Sequence, residues 1–72
     1  FSGLTVKMRE SANEWEFDLG NFKDQAWLLL RANHGTPGRI QGGSMIRMTG
    51  NLYLIKATDS TVHVERKAGG AA

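Results

Sequence analysis

The stretch AWLLLRA, residues 26–32, decides the fold of this chain, because a continuous apolar run can form either a helix or a buried strand. The residues around it favour a helix. Asn21 is a good N-cap, Gly35 is typical of the position just past a helix C-terminus, and the stretch contains no β-branched residue. We therefore predict a helix over residues 22–33, and the alternative is a strand over residues 24–32.

The residues before this stretch alternate between apolar and polar side chains, which is typical of strands with one buried face. A polar segment, residues 10–13, separates two such strands, so we predict that they form a hairpin. The first strand is predicted to span residues 3–9. The apolar side chains expected on the buried face are Leu4, Val6 and Met8 in the first strand, and Trp15, Phe17 and Leu19 in the second.

The residues after the stretch begin with a glycine-rich segment, residues 35–44, which contains four glycines and one proline. This composition predicts a mobile loop. Gly50-Asn51 then predicts a tight two-residue turn between two strands, and a final strand has Val62 and Val64 as its inward side chains. The three strands predicted in this part of the chain span residues 45–49, 52–56 and 61–67.

These elements predict an α+β domain with the order β-β-α-β-β-β, in which the helix packs on one face of an antiparallel sheet. The chain has 72 residues, which is enough for one small domain only. We assign this domain to residues 1–67 and predict that residues 68–72 form a flexible C-terminal tail. If residues 24–32 form a strand instead, the fold class becomes all-β.

The composition excludes several classes of protein. Cysteine is absent, which rules out disulfides and thiolate metal ligands and fits an intracellular, cytoplasmic protein. The longest apolar run, residues 26–30, is much shorter than the ~20 residues of a membrane span, so we expect no membrane association. Nine Lys and Arg residues against seven Asp and Glu residues give a net charge of +2, which is a mild basic bias.

Candidate catalytic and metal-binding side chains are few. Glu14, Glu16 and Asp18 share one face of the second strand, where a pair of carboxylates could serve acid and base chemistry. His34 and His63 are the only histidines, and they lack the spacing of a metal-binding motif. A chain of this size also has little room for a substrate cleft. We therefore predict that the protein is not an enzyme and that it has no metal or other cofactor.

A protein-binding surface is the function that the sequence favours most. In the predicted helix, Trp27 and Leu28 point away from the apolar stripe that would face the sheet. An exposed tryptophan beside a leucine is typical of an interface anchor. The predicted partner-binding residues are Trp27, Leu28 and Arg31. We expect a small non-catalytic interaction or assembly module that forms a homo-oligomer or caps a larger protein partner.

Binding of single-stranded nucleic acid, RNA or DNA, is the alternative function. A sheet that presents one aromatic ring among several cations would suit it, because bases stack on aromatic rings and cations follow the phosphates. The sequence has no RNP-like string that would strengthen this interpretation. The predicted nucleic-acid-binding residues are Arg39, Arg47, Tyr53, Lys56, Arg66 and Lys67.

Overall fold

The protein is all-β, so the predicted α+β fold is wrong. The computed structural model describes residues 3–67, and this part of the chain forms seven strands and no helix. The strands are β1 (Thr5–Glu10), β2 (Glu14–Gly20), β3 (Ala26–Arg31), β4 (Thr36–Gln41), β5 (Gly43–Thr49), β6 (Leu52–Ala57) and β7 (Thr61–Lys67). They form a four-stranded sheet in the order β1-β2-β7-β4 and a three-stranded sheet in the order β3-β6-β5, and all neighbouring strands are antiparallel.

The stretch that was predicted to be a helix over residues 22–33 contains strand β3 instead. Its burial alternates with a period of two, since Ala26, Leu28 and Leu30 are buried and the residues between them are exposed. Each residue of β3 is paired with one residue of β6. The alternative interpretation, a strand within residues 24–32, is therefore the correct one. The pairing with β6 and the burial of one face outweigh the local signals for a helix.

The core lies between the two sheets and is built from the inner faces of β2, β3, β6 and β7. The predicted inward positions Val62 and Val64 are confirmed, because both are 0% exposed. Trp15 and Ile55 are also fully buried. The buried apolar side chains form one cluster: Trp15, Phe17, Leu19, Ala26, Leu28, Leu30, Ala32, Tyr53, Ile55, Ala57, Val62 and Val64.

Three crossings from one sheet to the other lie side by side, between β2 and β3, between β4 and β5, and between β6 and β7. The backbone N–H of Leu19 donates to the carbonyl of Ser60 at 2.8 Å, and that of Thr58 donates to the carbonyl of Gly42 at 2.8 Å. Gly42 has φ +84°, and a Cβ at this position would meet the carbonyl oxygen of Thr61. This corner therefore favours glycine, because an L side chain would be both strained and blocked.

The glycine-rich segment is not the predicted mobile loop, because it supplies β4 and the start of β5. Strand β4 pairs with β7, with an irregularity between Pro37 and Ile40. The backbone N–H of Arg39 donates to the carboxylate of Glu65 at 3.0 Å, which holds this irregular part of β4 against β7. The predicted turn at Gly50-Asn51 is confirmed, and Gly50 has φ +63°, as the first central residue of a type II′ turn requires.

Strand β1 departs from the prediction that its apolar side chains are buried. Val6 is paired with Leu19 and Met8 with Phe17, so both lie on the inner face of the four-stranded sheet. Even so, Val6 is 47% exposed and Met8 is 50% exposed, and Leu4 is exposed as well. The three-stranded sheet therefore does not extend over β1. The predicted tail, residues 68–72, lies outside the residues that the structure describes.

Two adjacent leucines test the alternation of β3. Leu28→Ala should lower the free energy of unfolding by about 2–5 kcal/mol, because it removes a buried side chain from a packed core. Leu29→Ala should change it by less than about 0.5 kcal/mol, because Leu29 faces solvent. Urea denaturation followed by tryptophan fluorescence measures both values. Equal losses in the two variants would contradict the strand assignment.

Candidate functional site

Strand β3 presents three side chains to solvent on the outer face of the three-stranded sheet: Trp27, Leu29 and Arg31. Two of them, Trp27 and Arg31, belong to the predicted partner-binding set. Leu28, the third member of that set, is 5% exposed and belongs to the core. The prediction that Leu28 is exposed is wrong because a strand places adjacent residues on opposite faces. Leu29 is the leucine exposed beside Trp27, and an interpretation of the same stretch with a period of two would have identified it.

The neighbouring strands complete this surface. Trp27 is opposite Lys56, Leu29 is opposite Leu54, and Arg31 is opposite Leu52. On the far side of β6, Arg47 of β5 is also opposite Leu54. We call this surface the outer patch, and its members are Trp27, Leu29, Arg31, Arg47, Leu52, Leu54 and Lys56.

The outer patch has an apolar centre and a basic rim. Trp27 is 53% exposed and Leu29 is 67% exposed, and the half-buried side chains of Leu52 and Leu54 lie beside them. The ammonium nitrogen of Lys56 lies 5.8 Å from the centroid of the Trp27 ring, at the distance of a cation–π contact. A contact of this kind restrains the indole ring in the unbound protein.

The six predicted nucleic-acid-binding residues do not lie on one surface. Tyr53 is 8% exposed and packs in the core, so its ring is not free to stack on a base. Arg47 and Lys56 belong to the outer patch on the three-stranded sheet. Arg39 and Lys67 lie on β4 and β7 of the other sheet. The guanidinium of the sixth residue, Arg66, is engaged in contacts with other residues of the chain.

Arg66 connects the ends of several segments at the side of the molecule opposite the three corners. Its guanidinium forms a 2.8 Å ion pair with Glu10 and donates hydrogen bonds to the carbonyl oxygens of Ser11 at 2.8 Å and His34 at 2.9 Å. It also lies 5.3 Å from the centroid of the Trp15 ring. These contacts assign Arg66 a structural role in holding the β1–β2 turn and the β3–β4 connection.

The outer face of the four-stranded sheet carries a separate polar cluster. One donor atom from each of Glu14, Glu16 and His63 lies within 4.8 Å of the others, and His63 Nδ1 is 3.4 Å from a carboxylate oxygen of Glu14. The pairing of Glu16 with His63 across β2 and β7 creates this cluster, which the spacing along the sequence does not reveal. The three groups could hold a divalent cation. Since all three side chains are half-exposed, they are equally well satisfied by water, and we assign them no role.

A depression of about 360 Å³ adjoins this cluster. It is lined by polar and charged groups of both signs, and it contains no serine, threonine or lysine that could act as a nucleophile beside a base. Of the three carboxylates considered for acid and base chemistry, Glu14 lines the depression, whereas Glu16 and Asp18 lie farther along β2 and do not line it. The residues lining the depression are Asn13, Glu14, Arg39, Gln41, His63 and Glu65.

Comparison with known proteins identifies the family. Residues 1–54 match the model of DUF2194, which is described as an uncharacterised protein conserved in bacteria. The chain belongs to this family. The match to DUF2194 spans β1 to β5 and the first part of β6, so it includes both exposed apolar side chains of β3. No curated protein and no solved structure matches the chain.

Within residues 3–67, no helix is long and apolar enough to cross a membrane.

The structural role of Arg66 is testable against its neighbour. Arg66→Ala should lower the free energy of unfolding by about 1–3 kcal/mol, because it leaves two backbone carbonyls without their donor and removes an ion pair. Lys67→Ala, which removes an exposed cation from the same strand, should cost less than about 0.5 kcal/mol. Thermal and urea unfolding give both values. A neutral Arg66→Ala variant would contradict the structural assignment.

Proposed function

We propose that this member of the DUF2194 family is a non-catalytic protein-interaction module that binds a protein partner through the outer patch. The observation that carries the proposal is the exposure of Trp27 and Leu29 side by side on a regular sheet. Small monomeric proteins seldom expose contiguous large apolar side chains, and such patches commonly mark protein contacts. The lack of cysteine supports an intracellular setting for this binding.

The chemistry of the patch supports binding of appreciable strength. Burial of an exposed leucine contributes roughly 1.5–3 kcal/mol, and tryptophan is among the residues that most often dominate binding energy. The ring of Trp27 is held beside Lys56, so less side-chain entropy is lost when a partner covers it. The regular pairing of β3 with β6 beneath the centre of the patch holds Trp27 and Leu29 in a fixed arrangement.

The rim of the patch favours an acidic partner over a second copy of the chain. Arg31, Arg47 and Lys56 surround the apolar centre, and no acidic side chain belongs to the patch. Two copies that met through this face would bring these cations close together, which is unfavourable. We therefore favour a protein partner with an apolar centre and an acidic rim, and the homo-oligomer expected from the sequence is the alternative that the experiment below also tests.

Site-specific photocrosslinking tests the proposal in cells of the source organism. The photoreactive residue benzoylphenylalanine at position 29 should crosslink to one discrete protein, because this position lies in the outer patch. The same residue at position 7, on the outer face of the other sheet, is the matched control and should give no such product. Adding Trp27→Ala to the position 29 variant should abolish the crosslink without lowering the melting temperature.

Crosslinks of equal yield from positions 29 and 7, or none from either, would contradict the proposal. A crosslink of position 29 to another copy of the chain would contradict the acidic partner and support the homo-oligomer. Sedimentation velocity over a dilution series of the purified chain checks this outcome, since a patch-dependent oligomer should dissociate in the Trp27→Ala variant.

A further inference from the structure

Strand β3 is an edge strand, and its pattern of hydrogen bonding shows which of its backbone groups face the free side. It pairs only with β6. The backbone N–H of Ala32, just after β3, donates to the carbonyl of Asn51 at 2.9 Å, in the same register. In an antiparallel ladder, alternate residues bond to the same neighbour. Residues 26, 28 and 30 therefore bond to β6, and residues 27, 29 and 31 direct their N–H and C=O groups away from it.

These outward backbone groups are without partners in the part of the chain that the structure describes. No backbone or side-chain hydrogen bond from residues 3–67 reaches Trp27, Leu29 or Arg31 on this side. Three residues thus present three donors and three acceptors in the spacing of a strand. An open edge of this kind is a template for another strand.

The open edge lies beside the uncovered inner face of β1. Residues 21–25 connect β2 to β3 across a corner between the sheets, which places β3 above β2, and β1, on the other side of β2, projects beyond β3. Leu4, just before β1, lines one end of a groove, a space of about 280 Å³ that it shares with Ala26 and Trp27 at the start of β3 and with three residues of the β2–β3 connection, Asn21, Lys23 and Gln25. Val6 and Met8 continue the apolar floor from Leu4 along β1, and all three side chains are exposed. The groove therefore has polar connection residues at one end, and beyond them it continues between the exposed apolar side chains of β1 and the open backbone groups of β3.

We infer that this groove accepts one extended strand of a protein partner, which adds to the edge of β3 and covers β1. The inference rests on the proposed function in that the occupant is a protein, and it names the form that the bound segment takes. A strand added to β3 lies about 4.8 Å from it, above β1, and directs every second side chain toward Val6 and Met8. Backbone hydrogen bonds to β3 and burial of apolar side chains on β1 would hold the added strand in the groove, as in other cases of strand addition.

The projection of β1 beyond β3 prevents two copies of the chain from pairing through their β3 strands. The four-stranded sheet extends one strand beyond the three-stranded sheet on this side, because β1 has no strand above it. If β3 of a second copy occupied that place, its own β2 would lie below it, where β1 of the first copy already lies. The two β1 strands prevent this arrangement, whereas a single strand fits.

The charges at the groove define the side chains of the occupant further. Lys23 lines the end of the groove near Leu4, and Arg31 lies at the other end of β3. Apolar residues at alternate positions of the bound strand would pack on the exposed apolar side chains of β1. Acidic residues at the positions between them would pair with the two cations. The occupant is therefore an extended segment that alternates between apolar and acidic or neutral polar residues.

Labelled synthetic peptides test this inference on the full chain by fluorescence anisotropy. The parent peptide is a segment of about seven residues that alternates valine with threonine or glutamate, a length that matches β3. One derivative carries N-methyl groups on the amides of its valines, and the other on the amides of its polar residues. The two sets of amides point to opposite sides of a strand. One derivative should bind at least about tenfold more weakly than the parent, because its methyl groups face β3, and the other should bind like the parent.

Matched variants of the protein locate the bound peptide. The double variant Val6→Gln and Met8→Gln should weaken binding of the parent peptide at least about fivefold, because it removes the apolar floor. The control double variant Thr5→Gln and Lys7→Gln alters the opposite face of β1 and should leave binding unchanged. All four side chains are exposed, so both variants should keep the melting temperature of the parent chain.

Three outcomes would overturn the inference: no binding of the parent peptide up to about 1 mM, equal affinities of the two methylated derivatives, or equal effects of the two double variants. The result of the crosslinking experiment does not depend on these peptide measurements. Loss of peptide binding with a retained crosslink from position 29 removes the strand site and leaves the outer patch. The converse result retains a strand-binding groove and removes the outer patch.

Discussion

The structure depends on one constraint, which is that the apolar faces of two small sheets must be buried against each other. Neither face is stable in water alone, and a three-stranded sheet has little independent stability. The inner residues of β3 and β6 are covered by those of β2 and β7, and the largest fully buried side chains are Trp15, Ile55, Val62 and Val64. The three adjacent corners, tied by backbone hydrogen bonds at Leu19 and Thr58, fold one sheet over the other. No disulfide contributes, because the chain has no cysteine.

The unequal size of the sheets explains why the apolar side chains of β1 and the edge of β3 are uncovered. Four strands face three, so β1 has no strand above it and the neighbouring edge of β3 is open. The exposed side chains of Val6 and Met8 and the backbone groups of Trp27 and Leu29 are two consequences of the same mismatch. Edge strands of this kind are usually protected by charge or covered. Strand β3 carries protection only at its end, in Arg31, which is why both proposals concern this strand.

The side chains and the backbone of β3 offer different kinds of recognition. The outer patch presents an indole, a leucine and surrounding cations to a surface, whereas the edge presents hydrogen-bonding groups to an extended chain. A partner that added a strand at the edge would place its outward side chains next to Trp27 and Leu29. The two modes are therefore adjacent and compatible, and one partner could use both.

The sequence alone determined the strands whose side chains alternate clearly, namely β1, β2 and β7, and the Gly50-Asn51 turn, because these depend on a local period and on local turn chemistry. It also singled out Trp27 correctly as an exposed residue. Only the tertiary structure decided that the stretch after Asn21 is a strand, because a run of apolar residues carries no period and pairing with β6 selects its conformation. Only the tertiary structure, likewise, decided that β1 is uncovered and that Glu16 meets His63, because burial and cross-strand contacts depend on which strands become neighbours.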